Sequence, residues 1–300
     1  MTEKFLALAQ TGKNQWWRYL LSILLILVLW QGSGLIIGIF LWLFIEADGN
    51  PETRINPETS QFEGVDPLLF YLAINLSFVF FLIGLYLAVR FIHQRRFITL
   101  ISPRNKINWN RILQGFVAFS LLLIVFSVIE GISNSANYQL TFSPGKFFLF
   151  LPIALIFTSL QTSVEEFFFR GYLMQGIALI TRKSIIPILA TSLLFMLPHL
   201  LNPELKSGFF ILAAYYFVFG LFLAWITVKD NTLELALAAH ASNNLYVALL
   251  VNFAGGALPS HSVFTIQELN PISNLVISLI IFALFYWFFF RKKKREMPSS

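Results

Sequence analysis

The sequence contains no cysteine. Disulfide bonds, thiolate metal ligands and a cysteine nucleophile are therefore excluded, and the redox state of the compartment cannot be read from the chain. The zinc-binding pattern HExxH is also absent, and no serine-hydrolase motif surrounds Ser163 or Ser242. The chain thus offers neither thiol chemistry nor a recognisable serine nucleophile.

Charged residues are scarce as well. They make up 12% of the 300 residues, whereas hydrophobic residues make up 57% and the mean hydropathy is +0.73. A soluble domain carries roughly 25% charged residues, so these values indicate an integral, multi-pass membrane protein. The net charge of +6 does not indicate nucleic-acid binding, because the basic residues lie in short loops and in the tail RKKKR (291–295), where such residues set membrane orientation.

Eight apolar segments alternate with polar loops and predict an all-α, polytopic membrane helical bundle with about eight transmembrane helices. We expect one membrane domain over residues 1–300, without internal repeats, and an exposed extracytoplasmic loop at 46–66. The first apolar run is too long for a cleaved signal peptide, so it is expected to be retained. The predicted spans are 19–45, 67–89, 112–132, 147–164, 185–201, 208–228, 232–253 and 272–290.

Basic residues divide unevenly between the two sides of such a bundle. With the N-terminus inside and the spans alternating, 18 of the 21 Lys and Arg residues fall on the inside. The outside retains Arg54, Lys146 and Lys206, and the loop 46–66 holds six acidic residues. Because positive loop residues are retained in the cytoplasm, both termini are expected to be cytoplasmic, in the cell membrane if the source is bacterial.

Few ionisable or strongly polar side chains lie within the apolar segments or within the largely apolar piece 165–181 between two of them, where a central charge costs roughly 2.5 to 3.5 kcal/mol. His93 and His261 fall outside them and are expected to be solvated loop residues. The groups within them that need an explanation are Glu165, Glu166, Arg170, His199, His240 and Asn244.

Two pairs among these residues have a spacing of four, so each pair shares a helix face. They are Glu166 with Arg170 and His240 with Asn244. The simplest interpretation is structural: a paired charge at a helix end, and polar groups that join neighbouring helices. Glu165 is rotated by about 100° from its neighbour along the helix and has no such partner in the sequence.

A predicted turn brings these groups together. The segments 165–181 and 185–199 meet near residue 182, the midpoint between Glu165 and His199, so both side chains are expected at the same depth on neighbouring helices. His240 would lie about 15 Å along its own helix, at about 1.5 Å per residue. For His199 alone, a hydrogen bond to the backbone at a helix end is the simpler alternative. Together, one glutamate, two histidines and one asparagine can converge inside the bundle.

Such a cluster supports hydrolysis without a covalent nucleophile. A carboxylate shielded by phenylalanine is a competent general base for water, and a histidine and an asparagine can donate hydrogen bonds to a developing oxyanion. The side chains of Glu165, His199 and His240 could instead bind zinc, which lowers the pKa of bound water to about 7. The residues leave both alternatives open.

Three short motifs follow one another on successive apolar segments. EEFFFR (165–170), FMLPH (195–199) and HASNN (240–244) have the forms E-E-x-x-x-R, F-x-x-x-H and H-x-x-x-N. In this order they resemble the CPBP family of CAAX proteases and bacteriocin-processing enzymes, which includes the Abi proteins. The resemblance covers roughly residues 147–253.

The resemblance implies an intramembrane endopeptidase of the CAAX-processing type with a catalytic set of Glu165, His199, His240 and Asn244. Glu165 would be the base, and His199 would hold or polarise the water. The other two residues would stabilise the oxyanion. Three residues would support them: Glu166 and Arg170 would position the base, and Phe195 would pack the wall of the site.

Family members are commonly described as metalloproteases, and a metal-free mechanism with a glutamate-activated water is also argued for them; we favour the latter. The implied partners are the lipid bilayer and a membrane-associated peptide or lipidated protein, which the sequence does not identify further. Two other classes fit the residues: a non-proteolytic membrane scaffold or bacteriocin self-immunity protein of the same fold, and a transporter. A transporter is disfavoured because repeated halves are absent.

The division of basic residues gives a testable orientation. A topology reporter fused after Ser300 should read cytoplasmic, and one inserted near Pro57 should read extracytoplasmic, because 18 of 21 basic residues then remain inside. Activities of paired cytoplasmic and extracytoplasmic reporters in intact cells measure both. The opposite pattern would overturn the orientation.

Overall fold

The computed structural model describes residues 4–50, 52–55, 62–181 and 183–291. Pro57, Arg182 and residues 292–295 of the basic tail lie outside the described residues. Within them the chain is a helical bundle, and its helices are α1 Trp16–Asp48, α2 Pro67–Leu87, α3 Trp109–Ser133, α4 Pro144–Glu166, α5 Met174–Ile177, α6 Ile185–His199, α7 Phe209–Asp230, α8 Glu234–Leu249 and α9 Pro271–Phe290.

Strands are few and short in the described part of the chain. A hairpin in the predicted loop 46–66 pairs β1 Arg54–Ile55 with β2 Phe62–Glu63. A three-stranded sheet joins β3 Tyr138–Leu140, β4 Val251–Phe253 and β5 Phe264–Ile266 in the order β3-β5-β4, with the first pair antiparallel and the second parallel. This sheet ties together the connections α3–α4 and α8–α9 at one end of the bundle.

The helices confirm an all-α integral membrane protein that crosses the bilayer several times. Within the described residues, six helices are long and apolar enough to span it, and α6 is a shorter apolar helix. Helix α8 has only 16 residues and is largely buried by its neighbours. The number of eight spans and the side of each terminus stay predictions.

One predicted span is too short. The segment 147–164 was expected to end before Glu165, but a helix continues from Pro144 to Ile177. It passes through a π-helical segment, Phe167–Leu173, and ends in α5. The aromatic residues of this segment are apolar enough to pack in the core, which explains the continuation: Phe168, Phe169 and Tyr172 are buried.

Small residues allow α8 to lie at the centre of the bundle. A side chain at Gly115 in α3 would approach the Cβ atom of Ala238 to 2.8 Å, and one at Gly220 in α7 would approach the backbone of Ser192 to 3.2 Å. Membrane helices commonly pack closely at such positions because lipid supplies no hydrophobic driving force between them. Helix α3 therefore lies close to α8, which carries His240, and α7 lies close to α6, which carries His199.

The prediction for His93 is wrong: the ring is 1% exposed rather than solvated. Its Nδ1 is 2.8 Å from the Lys13 carbonyl oxygen, and its Nε2 is 2.9 Å from the Tyr172 hydroxyl. Burial lowers the pKa of His93 to about 4. The N-terminal segment covers the end of α2, which the loop position in the sequence could not indicate. His261 is partly buried against the Phe150 ring.

The buried state of His93 predicts a pH dependence of stability. Its folded-state pKa lies below the ordinary value of 6.5, so its contribution is fully present above pH 6.5 and is lost as the pH falls towards about 4. The melting temperature in detergent should therefore fall between pH 7 and pH 4.5, and less steeply in His93→Gln. Equal slopes in the two proteins would contradict this assignment.

Candidate active site

A buried ion pair lies where α4 passes into the π-helical segment. The Arg170 guanidinium donates from Nη1 to Glu166 Oε1 at 2.7 Å and from Nη2 to the Gly220 carbonyl oxygen at 3.0 Å. Its carbon atom Cζ lies 4.5 Å from the centre of the Phe195 ring. Both charged side chains are 0% exposed. The pair therefore joins α4, α6 and α7. The count of 18 basic residues on the inside treated Arg170 as a loop residue, whereas the structure buries it in the bundle.

The imidazole of His240 lies between two neighbouring carboxylates. Its Nδ1 is 2.8 Å from Glu166 Oε1, and its Nε2 is 3.7 Å from Glu165 Oε2. Because a carboxylate oxygen accepts, Nδ1 carries the proton of the first contact. Glu166 thus holds His240 as well as Arg170, a contact across 74 residues that the sequence did not predict.

The second contact of His240 calls for a shared proton or a bridging donor. Glu165 Oε2 and a neutral Nε2 both present lone pairs, so they attract each other only with a proton or a donor molecule between them. Their separation of 3.7 Å is longer than a hydrogen bond and suits such a bridge. Within the described part of the chain Glu165 Oε2 has no hydrogen-bond partner, although the residue is only 8% exposed. A donor such as water would complete the hydrogen bonding of this oxygen.

His199 makes the backbone contact that the simpler alternative predicted. Its Nδ1 donates to the Phe195 carbonyl oxygen at 2.8 Å, which leaves the lone pair of Nε2 for an external partner. The Tyr216 ring stacks on the imidazole with a centroid separation of 4.3 Å. The Tyr216 hydroxyl donates to Glu204, which also accepts from Asn202. These three residues support His199; Asn202 follows it by three residues and donates from its backbone N–H to the His199 carbonyl oxygen, whereas no spacing in the sequence connects Tyr216 or Glu204 with it.

Amide side chains complete the polar wall. Asn244 Oδ1 accepts from Asn243 Nδ2 at 3.1 Å, so the NH₂ group of Asn244 remains a donor for other partners. Gln161 Nε2 donates to Glu165 Oε1 at 3.3 Å. Gln161 precedes Glu165 by one helical turn, so this contact could have been found from the sequence.

All four predicted catalytic side chains line one cavity of about 520 Å³. This volume lies within the roughly 300–1,000 Å³ of ligand sites. Phe195 forms part of the same wall, as the sequence predicted; its ring centre is 4.7 Å from that of His199 and 5.7 Å from that of His240. The structure thus brings together Glu165, His199, His240 and Asn244, with Glu166 and Arg170 directly beneath His240.

Metal binding has less support in this geometry. The described residues contain no group of three or more His, Asp or Glu side chains close enough to hold a metal ion. Glu166 Oε1 already accepts from Arg170 and His240. As they stand in this structure, Glu165, His199 and His240 thus do not form a ligand set for a metal ion.

These features define a multi-pass membrane protein with a polar cavity and a buried Glu–Arg–His cluster. The model of the type II CAAX prenyl endopeptidase (Rce1-like) family matches residues 144–246, which contain the whole cluster. An uncharacterised protein of Bacillus subtilis (strain 168), YyaK, is 31% identical over 296 residues, which is 96% of this chain and 97% of the relative. No solved structure matches the chain. The chain belongs to the CPBP family.

The buried ion pair predicts a structural effect for one of the two glutamates. Glu166→Gln removes the charge that faces Arg170 and His240, so it should destabilise the fold by about 3–5 kcal/mol, as expected when one partner of a buried pair is lost. Thermal unfolding in detergent and the folded fraction on size exclusion measure this effect. Glu165→Gln is the matched control and should change stability less. Wild-type melting of Glu166→Gln would contradict a structural role for the pair.

Proposed function

We propose that the protein is an intramembrane endopeptidase that hydrolyses a peptide bond in a membrane-associated substrate with a water molecule activated by Glu165. The observation that carries the proposal is the buried Glu165 Oε2, without a partner among the described residues and 3.7 Å from His240 Nε2, in the wall of a cavity. Membership of the CPBP family and the match to the CAAX endopeptidase model support the same class.

The first step is the activation of water. A water molecule held by Glu165 Oε2 and by the lone pair of His199 Nε2 would lose a proton to the carboxylate as its oxygen attacks the peptide carbonyl carbon. The carbonyl oxygen would then become an oxyanion. Asn244 would donate to it from its NH₂ group, and His240 would donate from Nε2 when that nitrogen carries a proton.

Collapse of the tetrahedral intermediate completes the reaction. Glu165 would return its proton to the leaving amine, so that the enzyme ends in its starting state. Glu166 and Arg170 would take no part in proton transfer. They would hold His240 beside Glu165, while Tyr216 and Phe195 would fix the plane of His199.

A second candidate is a non-proteolytic scaffold or a bacteriocin self-immunity protein of the same fold. The buried ion pair would serve such a protein equally well, because it joins α4, α6 and α7. Such a role does not explain why Glu165, whose Oε2 has no hydrogen-bond partner among the described residues, lies in the wall of the cavity. Substitution of Glu165 therefore separates the two functions.

The Glu165→Gln substitution keeps the shape of the side chain and removes its ability to accept a proton. We expect at least about a 10²-fold loss in the rate of peptide hydrolysis, the lower range for the loss of a general base. The measurement is the rate at which the purified variant in detergent cleaves quenched-fluorescence peptides with and without a prenyl group.

The control is the melting temperature of the same preparation, which shows that the fold is retained. Full activity in folded Glu165→Gln would refute the mechanism. Parallel assays with a chelator address the metal separately: activity that resists the chelator removes the zinc alternative and leaves the glutamate mechanism in place.

A further inference from the structure

The cavity is built from one half of the bundle. Helix α7 contributes four residues to its wall, all from the first half of the helix: Leu212, Tyr215, Tyr216 and Phe219. Helix α9 likewise contributes from its beginning, with Asn274, Ile277, Ser278 and Ile281. Helix α3 runs in the opposite direction and contributes only residues beyond its midpoint: Leu123, Phe126, Ser127 and Glu130. The cavity therefore extends from the centre of the bundle to one face only.

The other half of the bundle is closed at the level of the ion pair. Arg170 fills the space between Glu166 and the Gly220 carbonyl group, which lies midway along α7. Beyond it the rings of Phe222 and Phe282 stack at 4.4 Å. In the described part of the chain, α7 adds no cavity-lining residue after Phe219. A substrate cannot reach Glu165 from this side without unpacking the core.

The open face carries the sheet and the connections opposite the termini. Residues of the segments 202–204, 251–258 and 266–270 form the entrance. The closed face carries the N-terminal segment, the connection 93–108 and the end of α9. Together with the tail 291–295, the segments 1–18 and 93–108 hold 12 of the 21 Lys and Arg residues of the sequence, so the positive-inside rule places the closed face in the cytoplasm and the entrance outside.

Charge at the cavity wall is of one sign. Among the described residues that line it are Glu130, Glu204 and Glu268, besides Glu165, and no Lys or Arg. In the low-dielectric surroundings of a membrane protein, such a wall repels an anionic segment and attracts a cationic one. The free carboxylate at the C-terminus of a substrate would be repelled by these glutamate side chains.

We propose that the peptidase takes its substrate from the extracytoplasmic side of the membrane, as a peptide segment that is neutral or positively charged where it passes the entrance. The proposal rests on the proposed peptidase function and on the cytoplasmic placement of the closed face. Under this proposal the substrates are secreted peptides and the external segments of membrane proteins, and not prenylated proteins anchored to the cytoplasmic leaflet.

The absence of cysteine allows a direct test of the side on which the cavity opens. Ser278→Cys lies in the wall of the cavity, Gln267→Cys is exposed beside its entrance, and Lys106→Cys is exposed on the closed face. With a membrane-impermeant maleimide on intact cells, the first two should react and the third should react only after permeabilisation. Labelling of Lys106→Cys alone in intact cells would overturn the proposal.

Vesicles of defined orientation test the substrate. Right-side-out vesicles should cleave water-soluble quenched peptides with Lys or Arg flanks faster than matched peptides with Glu flanks, and inside-out vesicles should cleave neither. Cleavage in inside-out vesicles alone would overturn the proposed side. Cleavage in neither orientation would refute the peptidase function itself, and with it the proposed substrate, while the thiol labelling still shows where the cavity opens.

A charge variant at the entrance provides the specificity readout. Glu268 is exposed at the entrance and takes no part in the proposed proton transfers, so Glu268→Gln tests the charge of the wall, with the rate on a neutral peptide as the reference. It should lower the preference for cationic over anionic flanks by about two- to five-fold, the range for one exposed charge pair. Gln267→Asn, also exposed beside the entrance, is the neutral control. An unchanged preference in Glu268→Gln would overturn the role of charge at the entrance.

Discussion

The ion pair between Glu166 and Arg170 is the interaction on which the centre of this protein depends. Two buried charges in a membrane protein are tolerable only when their hydrogen bonds are provided from within the protein. Here the guanidinium uses a carboxylate, a backbone carbonyl and the face of Phe195, and the same carboxylate oxygen also accepts from His240. Helices α4, α6, α7 and α8 therefore meet at this pair of side chains.

The adjacency of the two glutamates has a geometric consequence. Neighbouring helical residues point about 100° apart, so one small partner rarely contacts both. An imidazole does so here because its two nitrogens point in different directions, one towards each carboxylate. The π-helical segment that begins after Glu166 widens the helix at this position, as is frequent at functional sites. One glutamate is held by the ion pair, and the other is left to face the cavity.

The sequence predicted much of this arrangement because the decisive signals are local. Apolar runs indicate helices, and the spacing of Glu166 and Arg170 indicates a shared face. The midpoint near residue 182 predicts Glu165 and His199 at the same depth, and both line the cavity. The contact between Glu166 and His240 was missed because it links residues 74 positions apart. The support of His199 by Tyr216 and Glu204 was missed for a similar reason. His93 was misjudged because burial depends on what covers a loop, and a hydropathy profile does not contain that information.

Hydrolysis within a membrane places opposite demands on the two halves of the bundle. Water must reach the scissile bond, yet water around the ion pair would weaken the electrostatic attraction that holds His240 in place. The fold separates the two environments at the level of α7 residue Phe219. Tyrosine and amide side chains such as Tyr215, Asn243 and Asn274 line the side that contains the cavity, and Phe222 belongs to the side that stays packed. Glu165 lies on the boundary, with one oxygen bonded to Gln161 and the other facing His240. For the proposed base, this position combines surroundings with little water, which strengthen a hydrogen bond to the carboxylate, with contact to the cavity from which a water molecule would arrive. The one-sided opening that the packing produces is therefore also what the proposed chemistry would require.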